Sequence, residues 1–146
     1  MPIQQINPQE AKDLLDQDPE AIYVDVRSIP EFTAGHPIRA INLPIMHKGA
    51  YGMEPNADFQ KVATAVLPKD RKLIVGCLAG GRSQKACDIL AQRGFTQLYN
   101  VYGGFGGGRN PETGEPQPGW KDLGLPVSDE NGEGVSYLSL AAKAKS

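Results

Sequence analysis

One stretch, KLIVGCLAGGRSQKACDILAQRG over Lys72–Gly94, constrains the fold more than any other. It opens with Leu73-Ile74-Val75, an apolar run of strand length that is β-branched at two of its three positions. Gly76 and Cys77 follow, then the small-residue stretch Leu78-Ala79-Gly80-Gly81, then Arg82-Ser83. From Ser83 the period changes: Ala86, Cys87, Leu90 and Ala91 fall on one face of a helix. Gly94 stands where a C-cap glycine belongs. The unit reads as strand, tight loop and helix, with a cysteine at the carboxyl end of the strand. A β-α unit of this kind points to an α/β fold with a parallel central sheet covered by helices on both faces.

That placement has chemical consequences. In open α/β sheets ligands bind at the carboxyl ends of the strands. A loop feeding a helix aims unpaired backbone N–H groups and the positive end of the helix dipole at one spot, which favours a thiolate there. Gly80 and Gly81 allow the positive φ that lets consecutive amides curl around an anionic atom. Arg82 adds a fork of donors for an anionic substrate. The competing interpretation is a buried strand-end cysteine beside an ordinary turn; Gly-Gly-Arg-Ser followed by a helix argues against it.

Cys77-Leu78-Ala79-Gly80-Gly81-Arg82-Ser83 resembles the active-site loop of the rhodanese-domain sulfurtransferases. Asp25-Val26-Arg27 with Glu31-Phe32 and Gly35-His36 resembles that family's D-V-R … E-F … G-H-I signature, although Pro37 intervenes before Ile38. Ala40-Ile41-Asn42-Leu43-Pro44 is similar to its G-A-x-N-I-P. Gly103-Gly104, Trp120 and Gly124-Leu125-Pro126-Val127 are similar to its closing motif, with residues 105–119 as an insertion. The resemblance spans about residues 3–127 and implies a rhodanese domain over 1–127, followed by a linker and short extension over 128–146. It further implies Cys77 as the nucleophile that carries a persulfide, with the backbone amides of Leu78, Ala79, Gly80, Gly81, Arg82 and Ser83 stabilising the sulfur, and Arg82, alone or with Arg27 or Arg109, orienting the donor's anionic group. Asp25 and Arg27 are expected as supporting residues. The implied partners are a small anionic sulfur donor such as thiosulfate and a thiol or cyanide acceptor. A sulfur-relay protein is the alternative partner, with this chain as a persulfide carrier. Cysteine-dependent phosphatases and arsenate reductases use a similar cradle, but place arginine one position further from the cysteine than Arg82 stands from Cys77. Persulfide transfer requires no general base, no metal and no cofactor.

The rest of the chain bounds these expectations. Its 146 residues suit one domain with a real core, and a net charge of −2 without Lys/Arg runs argues against a nucleic-acid surface. Two cysteines are too few for a disulfide framework, and Cys87 on the apolar helix face reads as a core residue. MPIQQINPQE has neither a basic n-region nor an apolar h-region, and no stretch approaches membrane-spanning length. The expectation is a soluble, cytoplasmic protein without membrane contacts.

In chain order, residues 3–6 suit an edge strand, and Asn7-Pro8-Gln9-Glu10 is a capping box that starts a helix buried through Ala11, Leu14 and Leu15. Residues 21–26 read as a buried strand interrupted by Asp25, whose carboxylate needs partners. Ser28–Phe32 reads as a short helix, with Glu31 expected to pair with Arg27. His36 reads as structural. Residues 45–56 read as a loop in which His47 is a candidate pocket residue, and a helix is expected from Asp58. Residues 97–101 read as a parallel strand, and the glycine run Gly103–Gly108 as a flexible loop over the pocket, with Arg109 a candidate anion contact. Val135–Ala144 is apolar enough for a short docked helix.

Overall fold

A computed structural model describes residues 3–145; Met1, Pro2 and Ser146, the outermost residues of the two expected segments, lie outside the described residues. The chain begins with β1 (Ile3–Ile6), then α1 (Pro8–Gln17) and β2 (Ile22–Asp25). The short helix α2 (Ile29–Ala34) leads to β3 (His36–Pro37) and β4 (Ala40–Asn42). A hairpin of β5 (Met46–Gly49) and β6 (Gly52–Pro55) precedes α3 (Phe59–Val66). The central unit is β7 (Leu73–Gly76) and α4 (Gly81–Gln92), followed by β8 (Leu98–Val101). A two-rung hairpin, β9 (Gly108–Arg109) and β10 (Pro116–Gln117), then β11 (Val127–Ser128) and α5 (Tyr137–Lys145), complete the order.

Five strands form one sheet in the order β1-β8-β7-β2-β4, every pair parallel. This is the α/β architecture expected from the β7–α4 unit. β7 lies between β2 and β8, so Cys77 leaves the sheet from an interior strand. Side chains alternate across the sheet: Val24, Leu73 and Val75 join the layer under α3, α4 and α5, while Tyr23 and Ile74 join the layer with α1, Phe32 and Trp120. Burial on both faces explains why β2 and β7 are nearly unbroken apolar runs.

Local signals set the helix ends. Asn7 accepts from the Glu10 N–H (2.8 Å) while Glu10 accepts from the Asn7 N–H (2.9 Å), a reciprocal cap, and Ala11 and Leu15 are buried behind it. Asn7→Ala should therefore lower stability by about 1 kcal/mol, measured by urea unfolding. A loss indistinguishable from zero would show that the sheet, not the cap, holds α1. The α4 helix starts at Gly81, earlier than the sequence pattern suggests. Gly80 takes φ +121° as its N-cap, and the two glycines hide the start from a reading based on apolar periodicity.

Residues 45–56, expected to be a loop, instead form the four-rung β5–β6 hairpin. The signal was weak because neither strand carries a β-branched residue; Gly52, at φ +115°, closes the turn. Beyond Trp120 the chain stays on the domain. β11 pairs antiparallel with β3, Asn42 donates its N–H to Val135 O, and Tyr137 and Leu140 are buried against α3. No helix among the described residues is long and apolar enough to cross a membrane.

Candidate active site

The site is built where β7 ends. Gly76 is needed there because the Tyr23 hydroxyl occupies the space a Cβ would take. Cys77 follows, 2 % exposed, with the exposed Leu78 and Ala79 outside it. The Gly80 N–H donates to Cys77 Sγ at 3.0 Å, and Ser83 Oγ lies 3.4 Å from the same sulfur. The sulfur thus sits under the first turn of α4, whose leading amides have no intrahelical acceptors. Ser83 Oγ also bonds Gly80 O (3.1 Å) and Asn100 Oδ1 (2.5 Å), and Asn100 Nδ2 donates to Gln5 Oε1 (2.8 Å). A polar chain therefore runs from the sulfur through α4 and β8 to the edge strand β1. Asn100 and Gln5 are site-supporting residues that the sequence did not signal, because only strand pairing brings them together.

The loop is held from outside as well. Phe105 donates its N–H to Cys77 O (2.8 Å), Gly106 to Leu78 O (2.9 Å) and Gly103 to Ala79 O (3.2 Å). Three successive carbonyls are drawn towards the glycine run, while the Gly80 N–H is on the sulfur. The run expected to be a flexible loop is thus a strap hydrogen-bonded to the cysteine loop. Its glycines are sterically required: a Cβ on Gly104 would lie 2.7 Å from Leu78 O, and one on Gly108 would collide with Ala79 O.

Charges near the sulfur are paired. Asp25 accepts from Arg27 Nη2 (2.8 Å), Nε (3.1 Å) and the Arg27 N–H (3.0 Å); Arg27 Nη2 also reaches Gly35 O (2.7 Å). The Phe105 ring lies 4.4 Å from the Arg27 guanidinium carbon. Glu31 does not pair with Arg27, as expected from sequence, but with Arg82, through two bonds of 2.7 and 3.0 Å. The reason is geometric: Arg27 folds back onto the carboxylate two residues earlier, while Glu31, near the start of α2, faces the start of α4. Ser28 N and Oγ also donate to Glu31. Burial on its own would raise the Glu31 carboxyl, but the bonds from Arg82 and Ser28 outweigh it and hold it lowered to about 2. A lowered acid stabilises the fold above its unfolded value near 4.5 and loses that contribution as pH falls towards 2.

The remaining candidates are placed as follows. The Cys87 thiol is pushed up to about 12 by burial and then by Asp88 and Cys77, a neutral core thiol. Burial, then Asp25 and Cys77, raises the Tyr23 phenol well above its ordinary value. His36 is buried, stacked 3.7 Å from Phe32, with its ring nitrogens on Pro37 O and Glu130 O, a structural position. His47 faces Tyr137 of α5, with centroids 5.6 Å apart, and Arg109 donates to Gly114 O within its own hairpin. The site joins Cys77 to Ser83 with Asp25 and Arg27 behind; it leaves His47 and Arg109 at other contacts.

Comparison with known proteins agrees with this geometry. The family model of the rhodanese-like domain matches residues 7–110, and the chain belongs to that family. It is 43 % identical over 83 residues (57 % of this chain, 69 % of the relative) to the chloroplastic thiosulfate sulfurtransferase 16 of Arabidopsis thaliana. It is 31 % identical over 107 residues (73 % of this chain, 89 % of the relative) to the thiosulfate sulfurtransferase GlpE of Haemophilus influenzae. The crystal structure of Rv0390 from M. tuberculosis superposes with a TM-score of 0.71 at 28 % identity, covering 87 % of this chain and 98 % of that one. The chain spans about half the length of several other curated relatives it matches.

Proposed function

We propose that this protein is a sulfurtransferase that moves a sulfane sulfur from a donor such as thiosulfate to a thiol or cyanide through a persulfide on Cys77. The observation that carries this reading is the placement of Cys77 Sγ under the first turn of α4, with the Gly80 N–H 3.0 Å from it. The thiolate attacks the donor's outer sulfur. A Sγ–S bond forms as the donor's S–S bond breaks, and the electron pair leaves on sulfite. The acceptor then attacks the terminal sulfur and the Cys77 thiolate returns, a two-step covalent cycle without net oxidation of the enzyme. The Gly80 N–H on the sulfur supports a role for the loop amides of Leu78–Ser83 in stabilising its charge, and Asp25 with Arg27 supports the loop from behind. The names of relatives at moderate identity support the donor class.

A persulfide carrier in a sulfur relay uses the same chemistry. Leu78, 44 % exposed beside the buried sulfur, is where a protein acceptor would meet the loop. The two unbridged, buried thiols support a reducing, cytoplasmic setting.

Intact mass of the purified protein after thiosulfate, then after cyanide, tests the cycle. The expected result is a gain of one sulfur that maps to the Cys77 peptide and is removed by cyanide. Uptake from a protein persulfide but not from thiosulfate would favour the carrier. Uptake on Cys87, or none from any sulfane donor, would overturn the reading.

A further inference from the structure

The sequence offers Arg82 as a fork of donors for an anionic substrate, yet its two terminal nitrogens are both on Glu31 (2.7 and 3.0 Å). Glu31 is itself fixed by Ser28 N (3.2 Å) and Ser28 Oγ (2.8 Å), so the pair is anchored to the start of α2. Arg27 is matched in the same way by Asp25, with side chains 4 % and 2 % exposed, and Phe105 lies against its guanidinium. Each arginine of this neighbourhood therefore meets a dedicated carboxylate. A matched pair presents a dipole to an incoming anion, and its attraction is much weaker than that of a bare charge. What remains is the start of α4, where the Gly80 N–H lies on the sulfur itself (3.0 Å) rather than on a sulfonate held further out.

We propose that Glu31 is a specificity-determining residue: by holding Arg82 in a two-point ion pair it withholds that charge from the donor. The site then selects a transferable sulfur rather than a dianion. This rests on the sulfurtransferase reading. It predicts that donors are ranked by the leaving ability of the group behind the sulfane sulfur, and that thiosulfate gains little from its second negative charge. The reaction itself is unchanged. The Cys77 thiolate forms a bond to the outer sulfur, the donor S–S bond breaks, and the electron pair departs on sulfite or on an organic thiolate.

Glu31→Gln tests it, because the amide oxygen still accepts from Ser28 while the carboxylate charge is gone. Steady-state transfer to cyanide is measured with two donors, thiosulfate and the persulfide of 2-mercaptoethanol. The expected result is a rise of roughly tenfold in kcat/KM for thiosulfate, carried by KM and reduced by salt, as one newly uncompensated charge near a partly exposed site predicts. The organic persulfide, at most a monoanion and without a sulfonate for the guanidinium to hold, should show a much smaller rise. Equal changes for both donors would assign Glu31 a merely structural role, and no change for either would show that Arg82 already acts on the donor from within the pair; each overturns the proposal. Should Glu31→Gln not fold, the double variant Glu31→Gln with Arg82→Gln replaces the ion pair by a neutral amide pair. Withheld charge predicts an unchanged KM for thiosulfate, and a tenfold rise would overturn it, since a working clamp would have been lost. Failure of the sulfurtransferase reading looks different: neither the parent nor the variant would take up sulfur from either donor.

Discussion

Gly104→Ala should slow sulfur uptake by Cys77 by about 100-fold, the scale on which removal of one well-aimed amide donor acts in other enzymes. Gly104 has φ +49°, where an alanine is strained, and its Cβ would lie 2.7 Å from Leu78 O and 2.8 Å from the Leu78 carbonyl carbon. The strap or the loop has to shift. Either movement loosens the bonds from Phe105 to Cys77 O, from Gly106 to Leu78 O and from Gly103 to Ala79 O, and the last of these orients the peptide that aims the Gly80 N–H at Sγ. Single-turnover formation of the persulfide, followed by mass, reads this directly. Gly106→Ala is the control, because its nearest conflict is the Leu78 Cδ1 methyl at 2.6 Å, the end of a side chain free to swing towards solvent. It should lose far less. Equal losses in the two variants would mean that any disturbance of the run is damaging, and parent-like uptake by Gly104→Ala would remove the strap from the account of the site.

The contrast between these two glycines also shows where the sequence stops being readable. The β7–loop–α4 unit is legible because its signals are local: a short β-branched run, small residues, then a change of period. The cap of α1 is legible because Asn7 and Glu10 stand three residues apart and bond each other. Nothing local distinguishes a strap glycine from a flexible one. Gly104 matters because the chain returns from β8 across Cys77, a contact made 27 residues away in sequence. The partner of Glu31 is hidden for the same reason. Arg27 is near in sequence, but Arg82, 51 residues away, is what the start of α4 brings to it. The chain from Ser83 through Asn100 to Gln5 exists only because β8 pairs with β1. The β5–β6 hairpin was hidden differently, since Met-His-Lys-Gly and Gly-Met-Glu-Pro carry no strand-forming pattern and only the turn glycines mark it. The residues proposed to perform the chemistry are marked in the sequence by motif spacing. Of those around them, Asp25 and Arg27 are marked by a motif as well, whereas Gln5, Asn100, Gly104 and the partner of Glu31 emerge only from topology.

Arg27→Ala should lower the stability of the fold by about 3–5 kcal/mol, because it strips the partner from a buried carboxylate instead of removing a buried pair. Asp25 is 2 % exposed at its side chain and accepts three bonds from the Arg27 side chain. The Arg27 N–H at 3.0 Å survives truncation, but one neutral amide does not compensate a buried charge. The substitution also frees Gly35 O and uncovers the Phe105 ring at the point where the strap meets the cysteine loop. For a chain of this length the loss corresponds to a drop in Tm of roughly 10 °C or more. Urea unfolding of three proteins separates the causes: Arg27→Ala, Asp25→Asn and the double variant Asp25→Asn with Arg27→Met. If the penalty is the stranded carboxylate, the double variant recovers most of the loss of Arg27→Ala, since an amide beside an apolar side chain leaves no charge behind. Losses that simply add would mean that the two residues act independently. A loss below about 1 kcal/mol for Arg27→Ala would show that water reaches Asp25 and that the pair does not organise the floor of the site.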